Sequence, residues 1–361
     1  MKVALVIQHG KVGGIEQHVL TLAKGLKNNG VTPIVVMLFS GGPMIELFKD
    51  ETIEYTILNG KHGHDVAMAL RFRKFLKEEK TDIVHMHAVT LVGSAIMWTV
   101  PHMPLIITEH MAKVGRMIPM KTKLIYSISH RRAGKIIAVS ESTRQSLINF
   151  NPFVAQKALT MYNGIEVISP DTVNLKKELS VNANYIIGAV GRLDVGKGWE
   201  DFIEVAALVN KQLTDCHFVI VGDGPIRKEL ETLAVKLGVR DIIHCLGFRN
   251  DVRAVLKSFD LYLLLSEYEA CPLSLLEAMA EKTPVTGFLP IGGVSEINAD
   301  IYPLLKHRNI EELSEQIIDM LSSKYDLEDM TNSAHERITD IFNVTKMSKQ
   351  VIELYKEVMS R

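Results

Sequence analysis

Nine residues, Glu269-Ala-Cys-Pro-Leu-Ser-Leu-Leu-Glu277, place two carboxylates eight positions apart, one before a short apolar helix and one inside it. Pro272 suits a first helical turn, where its missing N–H costs nothing. Leu273, Leu276, Ala278 and Ala280 are good helix formers. The start of such a helix offers unpaired backbone N–H groups and a positive dipole end, which suit an anion. Glu269 would lie at the mouth of that anion site and Glu277 about two turns down. The pair could then reach two parts of one elongated ligand, a sugar at one end and a ribose at the other. Taken alone, a surface-loop acid followed by a capping acid is the simpler reading.

Other stretches change that balance. Gly191-Arg-Leu-Asp-Val-Gly-Lys-Gly198 follows a buried apolar run and joins flexible backbone to two cations, Arg192 and Lys197. It lacks the Gly-Lys-Ser/Thr ending of a P-loop. An Arg there can grip phosphate bidentately and a Lys can act as a point charge. The position directly after a strand favours this over a merely solvated loop. Gly13-Gly14 lets backbone approach a ligand at a helix start, and reads equally well as a plain tight turn. It is not Gly-x-Gly-x-x-Gly, so a nicotinamide or flavin cofactor has little support. His110 follows the run Ile106-Ile-Thr-Glu109, and His85 and His87 close the preceding strand. Alternation puts His85 deeper than His87, as a packing residue. Their spacing sets up no metal-ligand pattern with nearby Cys or carboxylates. No Asp-x-Asp pair occurs, so a divalent clamp on a diphosphate has no evident ligands. Between Lys113 and Lys135 lie seven cations, no acid and interleaved Met and Ile. An anionic membrane surface and an ordinary solvated helix face explain that stretch equally well.

With 361 residues, 47% of them hydrophobic and 23% charged, the chain is globular and long enough for two domains. Lys plus Arg (41) nearly equals Asp plus Glu (42), so net charge gives no argument for nucleic acid. Cys216, Cys245 and Cys271 lack paired spacing and read as thiols of a reducing, cytoplasmic chain. Neither a signal peptide nor an 18-residue apolar run is evident.

The elements that must position these residues alternate. Val3–Ile7 is a strand covered on both faces, followed by a helix from about Ile15 to Asn28 and a strand from Thr32 to Leu38. Strands near Ile53–Leu58, Ile83–His87, Leu105–Thr108 and Lys135–Val139 alternate with helices at Asp65–Lys77, Leu91–Val100 and Lys121–Arg131. After the turn signal Tyr162-Asn-Gly-Ile165 and a polar stretch to Asn184, the alternation restarts at Tyr185–Val190 and runs to a last helix at Val344–Met359. This pattern predicts an α/β protein of two doubly wound parallel-sheet domains, 1–165 and 166–340, facing a cleft, with a terminal segment 341–361.

Together the motifs resemble the retaining glycosyltransferases of the two-Rossmann-domain GT-B fold, family 4 (group 1) type. The resemblance rests on Gly13-Gly-Ile-Glu16, Thr108-Glu-His110, Val139-Ser-Glu-Ser-Thr143, Tyr162-Asn-Gly-Ile165 and Gly191-Arg192 with Lys197-Gly198. It continues through Val221-Gly-Asp-Gly224, Leu246-Gly-Phe-Arg249, Glu269 to Glu277 and Gly292-Gly-Val-Ser-Glu296, so it covers nearly the whole chain. It implies that Arg192 and Lys197 hold the donor diphosphate with the amides of Leu273 and Ser274. Glu269 would contact sugar hydroxyls, Glu277 the ribose, and the backbone of Gly247, Phe248 and Arg249 the base. Gly14 would approach phosphate or acceptor, and His110 would stand near the reacting sugar. Gly13, His87 and Asn163 are acceptor-side candidates. The last helix would return to the first domain. Ala270-Cys271 departs from the family's more frequent Gly-Phe, which leaves the shape of the sugar pocket open.

The expected reaction is transfer of a sugar from a nucleoside diphosphate, most simply a UDP-sugar, to a hydroxyl with retention, without metal or cofactor. The expected acceptor is a glycan or lipid-linked molecule, and the expected location is cytoplasmic or peripheral at the membrane. A sugar-nucleotide epimerase or phosphorylase on the same fold, or a non-catalytic nucleotide-sugar-binding protein, are the alternatives.

Overall fold

Strand β1 (Lys2–His9) sends alternate side chains into two apolar layers: Val3, Leu5 and Ile7 join one core, Ala4 and Val6 the other. That two-sided burial explains why the run reads as continuously apolar. The structure, a computed structural model, describes residues 1–62, 65–87, 97, 100–114, 120–168 and 170–360. It divides into two compact units, Met1–Glu166 with Phe342–Arg361, and Val167–Ile341.

In the first unit a seven-stranded sheet runs β3 (Glu54–Ile57), β2 (Thr32–Ser40), β1, β4 (Ile83–Met86), β5 (Leu105–Glu109), β6 (Lys135–Ala138), β7 (Ala158–Thr160), and every pairing is parallel. The helix Gly14–Asn28 buries Val19, Leu22, Ala23 and Leu26 on one face of this sheet. The final helix, Val344–Met359, packs against it and adds Met347, Val351 and Tyr355 to the same core. The approach is close: a Cβ on Gly25 would lie 2.8 Å from Cβ of Ser348. Backbone bonds from Ile165 N–H to Phe342 O (2.8 Å) and from Val344 N–H to Ile165 O (2.9 Å) hold the returning segment.

The second unit carries a six-stranded parallel sheet ordered β10 (Ile243–Gly247), β9 (Cys216–Val221), β8 (Tyr185–Val190), β11 (Leu261–Leu264), β13 (Val285–Phe288), β15 (Leu304–Leu305). A two-stranded patch, β12 (Tyr268–Glu269) with β14 (Ile291–Gly292), stands apart from it. Helix Trp199–Val209 and helix Ile310–Leu321 pack together over β8 and β9 in one core.

Both units are therefore doubly wound, as the alternation of elements predicts. The short helix Met44–Asp50 and the short pieces β7, β12 and β14 were not expected, because two to seven residues carry too little periodicity to read. The expected helix Leu91–Val100 falls outside the described residues except at Met97 and Val100. Pro272 is the cap of helix Leu273–Ala280 and not part of its first turn, because its ψ of 121° is extended.

Candidate active site

The order of the second sheet reverses between neighbours β8 and β11, so the loops leaving these strands emerge side by side. The β8 loop carries Arg192 and Lys197; the β11 loop carries Glu269 and leads into helix Leu273–Ala280. Two bonds tie the loops together. Glu267 N–H donates to Gly196 O at 3.0 Å, and Lys197 Nζ donates to Glu269 Oε1 at 2.7 Å. The fit needs Gly198, which adopts φ +74° and whose added Cβ would lie 2.2 Å from Leu265 O. Trp199 Nε1–H holds the loop by donating to Arg192 O at 2.9 Å. The Arg192 side chain itself is 66% exposed and ion-paired with Asp194. The loop thus presents one cation matched to an acid across the gap and one reaching outward.

Glu269 is fixed through its backbone as well, its carbonyl accepting Gly293 N–H at 2.9 Å. Leu273 and Ser274 open the following helix with their amides in its first turn. Ser274 Oγ accepts Tyr262 O–H at 2.9 Å, which anchors that turn to β11. Inside the helix, burial pushes the Glu277 carboxyl up to about 7, against a smaller opposing pull from Arg253, with Glu281 adding to the rise. Arg253 is itself ion-paired with buried Glu281. At the end of β10, Gly247 takes φ +70° and its carbonyl accepts Gly222 N–H at 2.8 Å. Phe248 is 46% exposed, while the Arg249 guanidinium is spent on Asp251 (2.8 and 2.7 Å) and on Glu178. Arg249 is thus available to a ligand through its backbone and not as a free cation.

In the first sheet the reversal falls between β1 and β4, and here the groups are neutral imidazoles. His18 projects from helix Gly14–Asn28, His87 follows β4, and His110 follows β5. One ring nitrogen from each lies within 4.8 Å of the other two, and His87 Nδ1 is 3.3 Å from His110 Nε2. His85 packs beneath them, its ring centroid 4.2 Å from that of His87. Its nitrogens are taken by Tyr355 Oη and Thr108 Oγ1, both at 2.7 Å, so it is a packing residue as alternation predicts. Burial lowers His18 to about 4 and His85 to about 3. Burial, reinforced by neighbouring imidazoles, holds His87 and half-buried His110 well below the usual range. Gly13 caps the helix, a Cβ on Gly14 would meet nothing within 4 Å, and Asn163 is buried after β7.

Two family models match the chain and together span most of it: Glycosyltransferase Family 4 over residues 12–167 and Glycosyl transferases group 1 over residues 171–337. This chain is a group 1, family 4 type glycosyltransferase. It is 27% identical to an uncharacterised glycosyltransferase of Methanocaldococcus jannaschii, covering 99% of each chain. It is 26% identical to the UDP-Gal:alpha-D-GlcNAc-diphosphoundecaprenol alpha-1,3-galactosyltransferase of Escherichia coli, over 82% of this chain and 80% of that one. The crystal structure of Anabaena HepE with UDP-glucose superimposes with a TM-score of 0.87 at 20% identity, over 99% of this chain and 100% of that one. The fold is accordingly GT-B.

Within this glycosyltransferase the structure joins Lys197 to Glu269 and places Arg192 on the same loop. In the first unit it gathers His87 and His110 with a partner the sequence reading missed, His18. The available signal was a histidine on the buried face of an amphipathic helix, four positions before Leu22. The cationic stretch Lys113–Lys135 is not one free face. Arg132 donates to the carbonyls of Val100, Pro101 and Met103, Lys135 pairs with Glu357, and Arg131 lies over the Phe153 ring. Arg116 lies outside the described residues. No helix among the described residues is long and apolar enough to cross a membrane.

Proposed function

We propose that this glycosyltransferase transfers a sugar from a UDP-sugar to an acceptor hydroxyl with retention of configuration and without a metal. The observation that carries the proposal is the Lys197–Glu269 pair at the start of helix Leu273–Ala280, beside Arg192. A diphosphate seated there meets two cations and a helix dipole, so charge growing on the leaving group is stabilised where it develops. Glu269, freed from Lys197 by the incoming phosphate, accepts hydrogen bonds from sugar hydroxyls and orients the ring. Glu277 takes a ribose hydroxyl, and the Gly247–Arg249 backbone meets the base. His110 attends the reacting sugar; Gly14 stands by phosphate or acceptor, and Gly13, His87 and Asn163 belong to the acceptor side.

In the step itself the bond from the anomeric carbon to the diphosphate oxygen breaks. The acceptor oxygen bonds to the same face of that carbon, and its proton passes to the departing phosphate oxygen. Glu269 positions and does not attack, so no sugar is ever bonded to the protein. Two similar proteins support the substrate class: HepE is complexed with UDP-glucose, and the Escherichia coli relative uses UDP-Gal and a diphosphoundecaprenol acceptor. A lipid-linked or growing-glycan acceptor follows from that likeness, with the remaining cations of Lys113–Lys135 aiding approach to an anionic membrane.

The test is a panel of nucleoside diphosphate sugars screened by thermal shift, then assayed for diphosphate release with and without glycan and lipid-linked acceptors in EDTA. Release that depends on acceptor, with a product of unchanged anomeric configuration by NMR, is expected. Inversion, a requirement for Mg²⁺ or Mn²⁺, or no turnover with any donor overturns the proposal.

A further inference from the structure

The histidines of the first unit are more than the proposed transfer uses. His18, His87 and His110 come from three different elements and converge at the point where the strand order reverses. Side-chain nitrogens His18 Nδ1 and His87 Nε2 are buried without a hydrogen-bond partner, an unfavourable state in a folded protein. Three imidazoles packed together with nitrogens unsatisfied are a costly way to fill a core that Leu or Phe could fill.

We propose that these three imidazoles form a binding site for a divalent transition ion of the zinc class. The donor set suits that class: neutral imidazole is a borderline-soft ligand favoured by Zn²⁺, Cu²⁺ and Ni²⁺ over Mg²⁺ or Ca²⁺. An ion held about 2.0–2.1 Å from each nitrogen in tetrahedral geometry sets the nitrogens roughly 3.4 Å apart. Through its Nδ1, His87 already stands 3.3 Å from His110 Nε2, and one nitrogen from each of the three rings lies within 4.8 Å of the other two. The rings are also aimed by their surroundings. His85, locked between Tyr355 and Thr108, packs against His87, and the His18 ring sits 5.0 Å from that of His110 and 5.3 Å from that of His87. His110, the half-buried member, gives the ion its route in and leaves a fourth position for water or an anion.

A bound ion engages His110, which the proposed transfer places beside the reacting sugar. Resting on that reading, occupancy makes the site an off-switch: the glycosyltransferase works metal-free and is inhibited by micromolar Zn²⁺, reversibly by chelator.

Binding is tested apart from activity. The full chain, stripped of metal, is titrated with Co²⁺, and the visible absorption of the bound ion is followed. One equivalent is expected to bind, and at least tenfold more weakly in His18→Gln and in His87→Gln, each checked for folding by its melting curve. His217→Ala is the control. It breaks a close imidazole pair elsewhere, His217 Nδ1 to His244 Nε2 at 2.8 Å in the second unit, and should leave binding unchanged. X-ray absorption of the wild-type zinc adduct needs no variant and should count three imidazoles. Fewer than three, equal Co²⁺ affinity in His18→Gln, or loss of binding in His217→Ala overturns the site. If binding holds but Zn²⁺ leaves transfer untouched, the off-switch and the role given to His110 fall while the metal site stands.

Discussion

The two strand-order reversals of this protein use opposite chemistry on the same architecture. In the second unit the loops after β8 and β11 present Arg192, Lys197 and Glu269, charged groups at least partly open to solvent and paired to neighbours. In the first unit the segments after β1, β4 and β5 present imidazoles kept neutral by burial. Under the proposed function, the difference follows from what each unit meets. Charge arriving on a diphosphate has to be balanced at the moment it leaves, and only groups already charged and already positioned do that without reorganisation. An uncharged hydroxyl is better served by neutral donors and acceptors. A double-wound sheet supplies the place; the loops supply the polarity.

The sharpest way to break that contrast is Lys197→Ala. It should cut kcat by about 100-fold or more, about 2.7 kcal/mol, with an unchanged melting temperature. A drop of less than threefold, roughly 0.6 kcal/mol, would mean the second unit is not where charge is handled.

Next comes a pair of glycines. Gly198→Ala forces a Cβ against Leu265 O at a positive φ and should destabilise the second unit by about 2–4 kcal/mol in a urea melt. Gly14→Ala meets nothing within 4 Å and should change stability by less than about 0.5 kcal/mol. Equal stability costs would show that the two loops are not packed as differently as their neighbours indicate.

The pH dependence of Glu277 is a smaller effect. Burial raises its carboxyl from 4.5 to about 7, so between those values the folded protein holds a proton the unfolded chain has released. That contribution is complete below the unfolded value and fades as pH rises through about 7. Glu277→Gln should remove the slope, narrowing the stability difference between acid and neutral pH by on the order of 1–2 kcal/mol, because the carboxyl is partly screened by solvent. An unaltered slope in denaturant melts would place the proton elsewhere.

A further expected effect lies at the membrane. Changing Lys121, Lys123 and Arg131 together to Ser, and sparing Arg132 for its carbonyl contacts, should lower co-sedimentation with phosphatidylglycerol vesicles at low salt. Each cation contributes on the order of 1 kcal/mol near such a surface. Equal binding by wild type and variant would leave the stretch as an ordinary solvated face and favour a soluble acceptor.

Much of this was legible in the residues, for identifiable reasons. The strand β1 and the helix Val344–Met359 are long enough for their periods to show, and both stand where the pattern puts them. That Arg192 and Lys197 share one loop after a buried strand was readable, because the apolar run Tyr185–Val190 shows as a strand by itself. His18 was not readable, since one histidine on an apolar helical face is usually core. Nor was the commitment of Arg132, because its partners Val100, Pro101 and Met103 are backbone carbonyls that carry no side-chain signature.

By itself the sequence determined the alternation of strand and helix, the two-unit α/β class, and which charged residues follow the strand Tyr185–Val190. These depend on local period and on residue type, which neighbours in the chain already express. The strand order was decided only in three dimensions, because parallel strands pair across crossovers and no local pattern says which edge the next strand joins. From that order came the joining of Lys197 to Glu269, 72 residues apart, and the convergence of His18, His87 and His110. Burial, which is likewise a property of the assembled sheet and its covering helices, then set those imidazoles neutral and lifted Glu277 towards 7.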